Sequence, residues 1–216
     1  MLHLYLQSHL QCLHLIYQAD VKPGDVKYVD VNHDGVINAS DKVDLGNGLP
    51  KYTFGFNFSL AWKGFDLSAN FTGAAGFQIA QSYRDPSSSQ ANYSRRILNR
   101  WTGEGTSNEI PRVTYGDVGN WLFSDLYLQD GDYIRLQNLT MGYDFKKLIS
   151  WKGLSKMRLY FQVQNLFTLT KYDGMDPEIG SYNGTDGNSS DSWVSGVDMG
   201  YYPHPRTFIV GLNLAF

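Results

Sequence analysis

The run YTFGFNFSLAWKGFDLSANF, Tyr52 to Phe71, decides the fold class. The even positions Tyr52, Phe54, Phe56, Phe58, Leu60 and Trp62 are large and apolar, and Thr53, Gly55, Asn57, Ser59 and Ala61 between them are small or polar. This is period two without a break, the pattern of a strand with one apolar and one polar face. Lys63 and Gly64 interrupt it as a two-residue turn. Phe65, Leu67, Ala69 and Phe71 then resume the apolar face against Asp66, Ser68, Asn70 and Thr72. The stretch predicts an antiparallel hairpin.

The same alternation returns downstream. Between Lys156 and Phe167, Met157, Leu159, Phe161 and Val163 oppose Arg158, Tyr160, Gln162 and Gln164. The final run sets Phe208, Val210, Leu212, Leu214 and Phe216 against Thr207, Gly211, Asn213 and Ala215. Asp132 to Phe145 predicts a further long strand, although both of its faces mix apolar and polar groups. Connections are unequal. Lys63-Gly64 and KKLISWKGLSK are short and basic, while the stretches from Gly73 to Leu126 and from Thr170 to Pro205 are long and rich in Gly, Ser, Asn and Asp.

Two architectures accommodate such strands: a β-sandwich that buries the apolar faces against each other, and a barrel that turns them to lipid. Strand lengths of about nine to eleven residues suit a tilted membrane crossing. Tyr52 and Trp62 at strand ends suit an interfacial girdle, and the Asn, Ser, Thr and Gln of the opposite face suit a wet lumen. Short turns at one rim and long loops at the other match an outer-membrane barrel, with the long loops extracellular.

Composition narrows the rest. The 216 residues carry a formal net charge of -3, and 18% are charged, with Lys and Arg scattered singly, which argues against a nucleic-acid partner. Aromatics make up 15%, a bias towards strands and interfaces. Cys12 stands alone, so no internal disulfide framework exists. Mean hydropathy is -0.34 and no apolar run is long enough for a membrane helix. Residues 1–21 differ sharply in composition from the rest of the chain and have no clean period and no basic start of a secretory signal. Their histidines His3, His9 and His14 lack acidic or Cys partners and are not expected to bind metal.

Further residues carry a family resemblance. GDVKYVDVNHDGVINASDKVDLGNGLPKYTFGFNFSLAWKGFDLSANFTGAAG, NRWTGEGTSNEIPR, FSDLYLQDGDYIRLQNLTMGYDF, KMRLYFQVQNLFTLTKYDGMDPEIG and GYYPHPRTFIVGLNLAF occur in this order from about Lys22 to Phe216. Together they resemble the C-terminal part of SusC/RagA-type TonB-linked outer-membrane transporters of Bacteroidota. The resemblance implies an all-β fold of antiparallel transmembrane strands, the C-terminal portion (residues 22–216) of a large barrel of about 22 strands around a plug. Six to eight strands are expected in this chain and the plug is not. The resemblance further implies a Gram-negative outer-membrane location, uptake of a glycan or peptide, a SusD-like surface lipoprotein partner and TonB contact through the missing N-terminal part. The last residues, IVGLNLAF, resemble the signal read by the barrel-insertion machinery, with Ile209 where a polar residue is usual. A secreted, Ca²⁺-stabilised β-sandwich that binds carbohydrate is the alternative reading.

DVNHDGVINASD, Asp30 to Asp41, matches the spacing of a calcium loop. Asp30, Asn32 and Asp34 take positions one, three and five, Gly35 the turn, Val36 the carbonyl position and Asp41 position twelve. Asp41 replaces the usual Glu and shortens the reach, so weaker Ca²⁺ affinity is expected. The competing reading is an Asx-rich turn. Trp101, Tyr115, Trp121, Tyr182 and Trp193 in the long loops are candidate sugar-stacking residues. No Ser-His-acid or Cys-His grouping is readable. The acid pairs Asp130/Asp132 and Asp176/Glu178 sit in turn-like contexts, so the chain is not expected to be an enzyme.

Overall fold

The computed structural model describes residues 3–4, 21–82, 93–113, 119–149, 151–179 and 196–216. Its contacts divide into two compact units, one formed by residues up to Gly46 with Gln81–Leu128, the other by Asn47–Ala80 with Gln129–Phe216. In the first unit, β1 (His3–Leu4) pairs with β2 (Val26–Lys27).

The second unit is built on five long strands: β3 (Tyr52–Trp62), β4 (Phe65–Ala75), β7 (Tyr133–Asp144), β8 (Lys156–Thr170) and β10 (Thr207–Ala215). They form one antiparallel sheet in the order β10-β8-β7-β4-β3, an up-and-down meander. The β3–β4 hairpin closes at Lys63 and Gly64, both at positive φ, 48° and 98°. This is the geometry that matches the twist of two-residue hairpins. The shorter strands β5 (Gln78–Gln81), β6 (Leu128–Asp130) and β9 (Val197–Asp198) pair with each other inside the long connections. Among the described residues the expected six to eight barrel strands therefore reduce to five, because part of the loop sequence pairs locally in pieces too short to span.

Register puts every apolar set on one side. Phe56 faces Phe71, Leu67 faces Met141, Met141 faces Phe161, and Phe161 faces Val210. Across the same strands Asn57 faces Asn70, Asn70 faces Asn138, and Asn138 faces Gln164. The mixed pattern of β7 has a structural cause. A bulge at Gln137 lies between Leu136, opposite Phe71, and Asn138, opposite Asn70. One extra residue reverses the alternation, so Ile134 and Leu136 share a face with Leu139 and Met141. Strand β8 absorbs the irregularity at Asn165, whose φ is 53°.

No second sheet covers the apolar face among the described residues. Phe54, Phe56, Phe58, Leu60, Trp62, Val210 and Leu212 are all exposed, and each represents roughly 1.5–3 kcal/mol of burial not realised in water. The sandwich alternative is thus not supported, because its two apolar faces would have to meet. A small core, Ala74, Phe77, Ile79 and Tyr172, packs with Tyr133 and Ile179. Ala74 and Tyr133 lie opposite each other on the polar side of the sheet, so this core sits on that side at the long-loop end.

Deletion of Gln137 should remove the bulge, leave Ile134, Leu136, Leu139 and Met141 in plain alternation on the apolar face and be tolerated, whereas insertion of one residue after Leu139 should turn Met141 and Tyr143 to the polar face and abolish folding. Circular dichroism of both variants in detergent, with thermal melting, checks this.

Candidate functional site

The polar face of the five-stranded sheet carries two charged arrangements, one near each end of the strands. Near the short turns, Arg158 of β8 donates from Nε to Asp66 Oδ1 at 2.8 Å and from Nη2 to Asp66 Oδ2. Asp66 belongs to β4, so the guanidinium reaches over β7 between them. It does so at Gly142, where a Cβ would lie 2.6 Å from Arg158 Nε and 2.6 Å from Asp66 Oδ1. Tyr160 extends the row: its ring centroid is 5.0 Å from the Arg158 guanidinium carbon, within cation–π range. The ring lies over Gly211 of β10, in space that a side chain there would occupy. Two glycines thus let long side chains lie flat along the wall.

At the long-loop end Arg135 of β7 is 2% exposed. Its Nε donates to Thr168 Oγ1 at 3.0 Å, its Nη2 to Asp176 Oδ1, and its Nη1 lies 2.8 Å from Glu178 Oε2. Asp176 is the hub. Its Oδ1 also accepts from Glu178 N at 2.9 Å, and its Oδ2 accepts from His204 N at 3.1 Å and lies 3.0 Å from His204 Nδ1. Burial alone would raise the Asp176 carboxyl. The hydrogen bonds from Glu178 and His204, with the charge of Arg135, outweigh it and hold the group below its ordinary 3.8. Nearby, Tyr172 donates to Asp198 Oδ2 at 2.6 Å, and Asp198 Oδ1 accepts from Gly200 N and Tyr201 N.

Neither acid pair is arranged for acid–base catalysis. Asp176 and Glu178 are partners of Arg135. Asp132 accepts from Gly76 N at 2.6 Å, and Asp130 accepts from Asp132 N at 3.0 Å. Turn and ion-pair chemistry accounts for all four, as their contexts suggest. Between the charged rows the face offers amides and hydroxyls, such as Asn57, Asn70, Thr140 and Gln162, which form a hydrophilic wall.

In the first unit Asp25, 3% exposed, joins distant segments. Its carboxylate accepts from Arg112 Nε and Nη2 at 2.6 and 2.9 Å, Asn120 Nδ2 at 2.8 Å and Lys22 N at 2.7 Å. Burial again works to raise this carboxyl, and these bonds, led by Arg112, keep it low. Trp101, a candidate for sugar stacking, packs its ring against Gly24 in this same unit and is half-buried. Trp121 ends the short 3-10 turn Gly119–Trp121, and its side chain lies outside the described residues. Tyr115, Tyr182 and Trp193 also lie outside them.

The loop from Asp30 to Asp41 is closed on itself. Asp30 Oδ2 accepts from Gly35 N at 2.7 Å, Asn32 Oδ1 from Asp34 N at 3.0 Å, and Asp34 Oδ1 from Val36 N at 2.8 Å. Asp41 Oδ2 accepts from Asn38 N and its Oδ1 from Val31 N, at 2.7 and 2.9 Å. These bonds, that from Asn38 first, lower the Asp41 carboxyl. Among the described residues no three His, Cys, Asp or Glu side chains are grouped to hold a metal, but the expected donor set includes the Asn32 amide and the Val36 carbonyl. Asp30 Oδ1 is buried and has no hydrogen-bond partner. An oxygen-only donor set with one unsatisfied carboxylate oxygen fits a hard cation in type.

Arg135→Met should cost roughly 3–5 kcal/mol by leaving Asp176 buried without its cation, while Glu178→Gln, at the exposed partner, should cost under about 1 kcal/mol. Because the folded-state Asp176 carboxyl is lowered, its contribution is present above the ordinary 3.8 and is lost as pH falls through the lower folded value. Denaturant unfolding in detergent as a function of pH measures both effects.

No family model matches the chain. TonB-dependent receptor P3 of Formosa agariphila is 35% identical over 199 residues, 91% of this chain and 19% of the relative. TonB-dependent receptor SusC of Bacteroides thetaiotaomicron is 29% identical over 205 residues, 93% of this chain and 18% of the relative. Among solved structures, the RagAB peptide importer in its open-open state superposes with a TM-score of 0.65 at 25% identity, over 89% of this chain and 21% of that one. The chain thus spans about a fifth of the length of the relatives it matches. The sheet matches part of the wall of an outer-membrane barrel, with its apolar face as the lipid face and its polar face as the lumen face, and over nine-tenths of its own length the chain is similar to TonB-dependent receptors, SusC among them.

Proposed function

We propose that the protein forms part of the wall of an outer-membrane importer that takes up a nutrient of glycan or peptide class. The observation that carries this reading is the five-stranded antiparallel sheet with a continuous apolar face opposite a hydrophilic one. A SusD-like surface lipoprotein over the long loops and TonB contact through other parts of the receptor complete the reading. The kinship with SusC and with the RagAB peptide importer supports it. This chain's own contribution is passive: strands that seal against lipid, a lumen wall with flattened charged rows, and loops rooted by Arg135 and Asp176.

The purified chain should be β-rich and monodisperse in detergent or lipid and should aggregate without them. A soluble, cooperatively melting monomer in plain buffer would sink the reading. Sedimentation with circular dichroism separates the two.

We further propose that Asp30, Asn32, Asp34, the Val36 carbonyl and Asp41 hold a structural Ca²⁺, weakly because Asp41 offers a shorter reach than Glu. The buried, unpartnered Asp30 Oδ1 supports this. Calorimetry on the intact chain should show Ca²⁺ binding that Asp30→Ala with Asp34→Ala removes, and no heat with the parent chain would end the idea.

A further inference from the structure

We propose that the short-turn rim of the sheet binds the phosphodiester headgroups of anionic phospholipid in the leaflet it meets. The inference rests on the membrane-spanning reading and adds to it a preference among lipids.

The two turns at this rim form one continuous edge, since Asp144 N donates to Gly64 O at 2.8 Å. Aromatic rings run along it. Phe65 and Tyr143 have centroids 4.4 Å apart, Tyr143 and Phe145 4.9 Å, and Trp151 and Phe216 6.4 Å. Trp62 and Trp151 are 63% and 61% exposed. Such rings settle at headgroup depth.

Each tryptophan is accompanied by a cation. Lys63 Nζ stands 4.9 Å over the Trp62 ring, and Lys146 Nζ donates to the Trp151 carbonyl at 2.8 Å. Lys152 and Lys156 in the same edge are exposed. The acids of this edge are already engaged: Asp66 by Arg158, and Asp144 by the backbone N–H groups of Lys146 and Met157. Lys156 lies on the polar face of β8 and acts on Asp66, so the cations presented to a headgroup are Lys63 and Lys152, both exposed. Lys63 also occupies a position of φ 48°, where Gly or Asn is less strained. A Lys there sets its ammonium beside a ring that marks headgroup depth, which is where a lipid phosphate lies.

Overall charge cannot produce the same preference. The chain carries a formal net charge of -3, so the molecule as a whole is repelled by an anionic surface and attraction has to be local.

The test is partitioning of the full chain between neutral detergent and vesicles of phosphatidylcholine alone or mixed with phosphatidylglycerol. The parent should enter both and favour the phosphatidylglycerol vesicles, with a preference that falls as salt rises. Lys63→Asn, which suits the positive φ, combined with Lys152→Gln should reduce that preference about 25-fold, near fivefold per lysine, and leave phosphatidylcholine partitioning unchanged. A parent without preference, or a double variant that keeps it, overturns the inference while the membrane reading stands. Failure to enter phosphatidylcholine vesicles overturns the membrane reading and the inference with it.

Discussion

Hydrocarbon offers no water to pair with a backbone, so a chain can enter it only where its N–H and C=O groups are bonded to each other. The meander of β3, β4, β7, β8 and β10 meets that requirement between neighbours and leaves it open at the outer edges of β3 and β10. Those edges are where the rest of a barrel wall has to pair. The apolar alternation comes from the same constraint. Once the backbone is satisfied, Phe56, Phe71, Met141, Phe161 and Val210 can face lipid at no polar cost, and the opposite face is free to be wet.

The wet face is shaped by what its glycines leave out. Gly142 and Gly211 create shallow channels across β7 and β10 in which Arg158 and Tyr160 lie along the wall instead of projecting from it. Asp66, two strands from Arg158, becomes a partner only because the intervening residue has no side chain. A substitution at Gly142 would thus act as an electrostatic change, even though it carries no charge, by forcing the ion pair apart.

Much of this is legible in the sequence, and the remainder is hidden for physical reasons. Tyr52 to Trp62 alternates so strictly that the strand and its bounds are readable from the residue type at each position. Strand β7 is blurred because the bulge at Gln137 inverts the period midway, and a bulge has no composition of its own. Local pairing of β5, β6 and β9 escapes a sequence reading because two to four residues give no period to detect. Asp176 and Glu178 are recognisable as turn residues, but their partner Arg135 lies 41 residues from Asp176 on a strand whose pattern is already mixed. Trp101 has the character of a stacking surface, and no sequence signal announces that Gly24 packs beneath it.

The two ion pairs of the lumen wall differ in consequence because they differ in burial. Arg158 and Asp66 have side chains 19% and 36% exposed, so solvent screens them and the pair mainly fixes orientation. Arg135 and Asp176 are 2% and 6% exposed, which makes either one alone costly and the pair hard to open. Asp176 also holds backbone from both ends of the connection between β8 and β10, at Glu178 and at His204. The root of that connection is therefore pinned to the barrel wall by one carboxylate, and buried Asp198, bonded to Tyr172, ties the same two segments a second time.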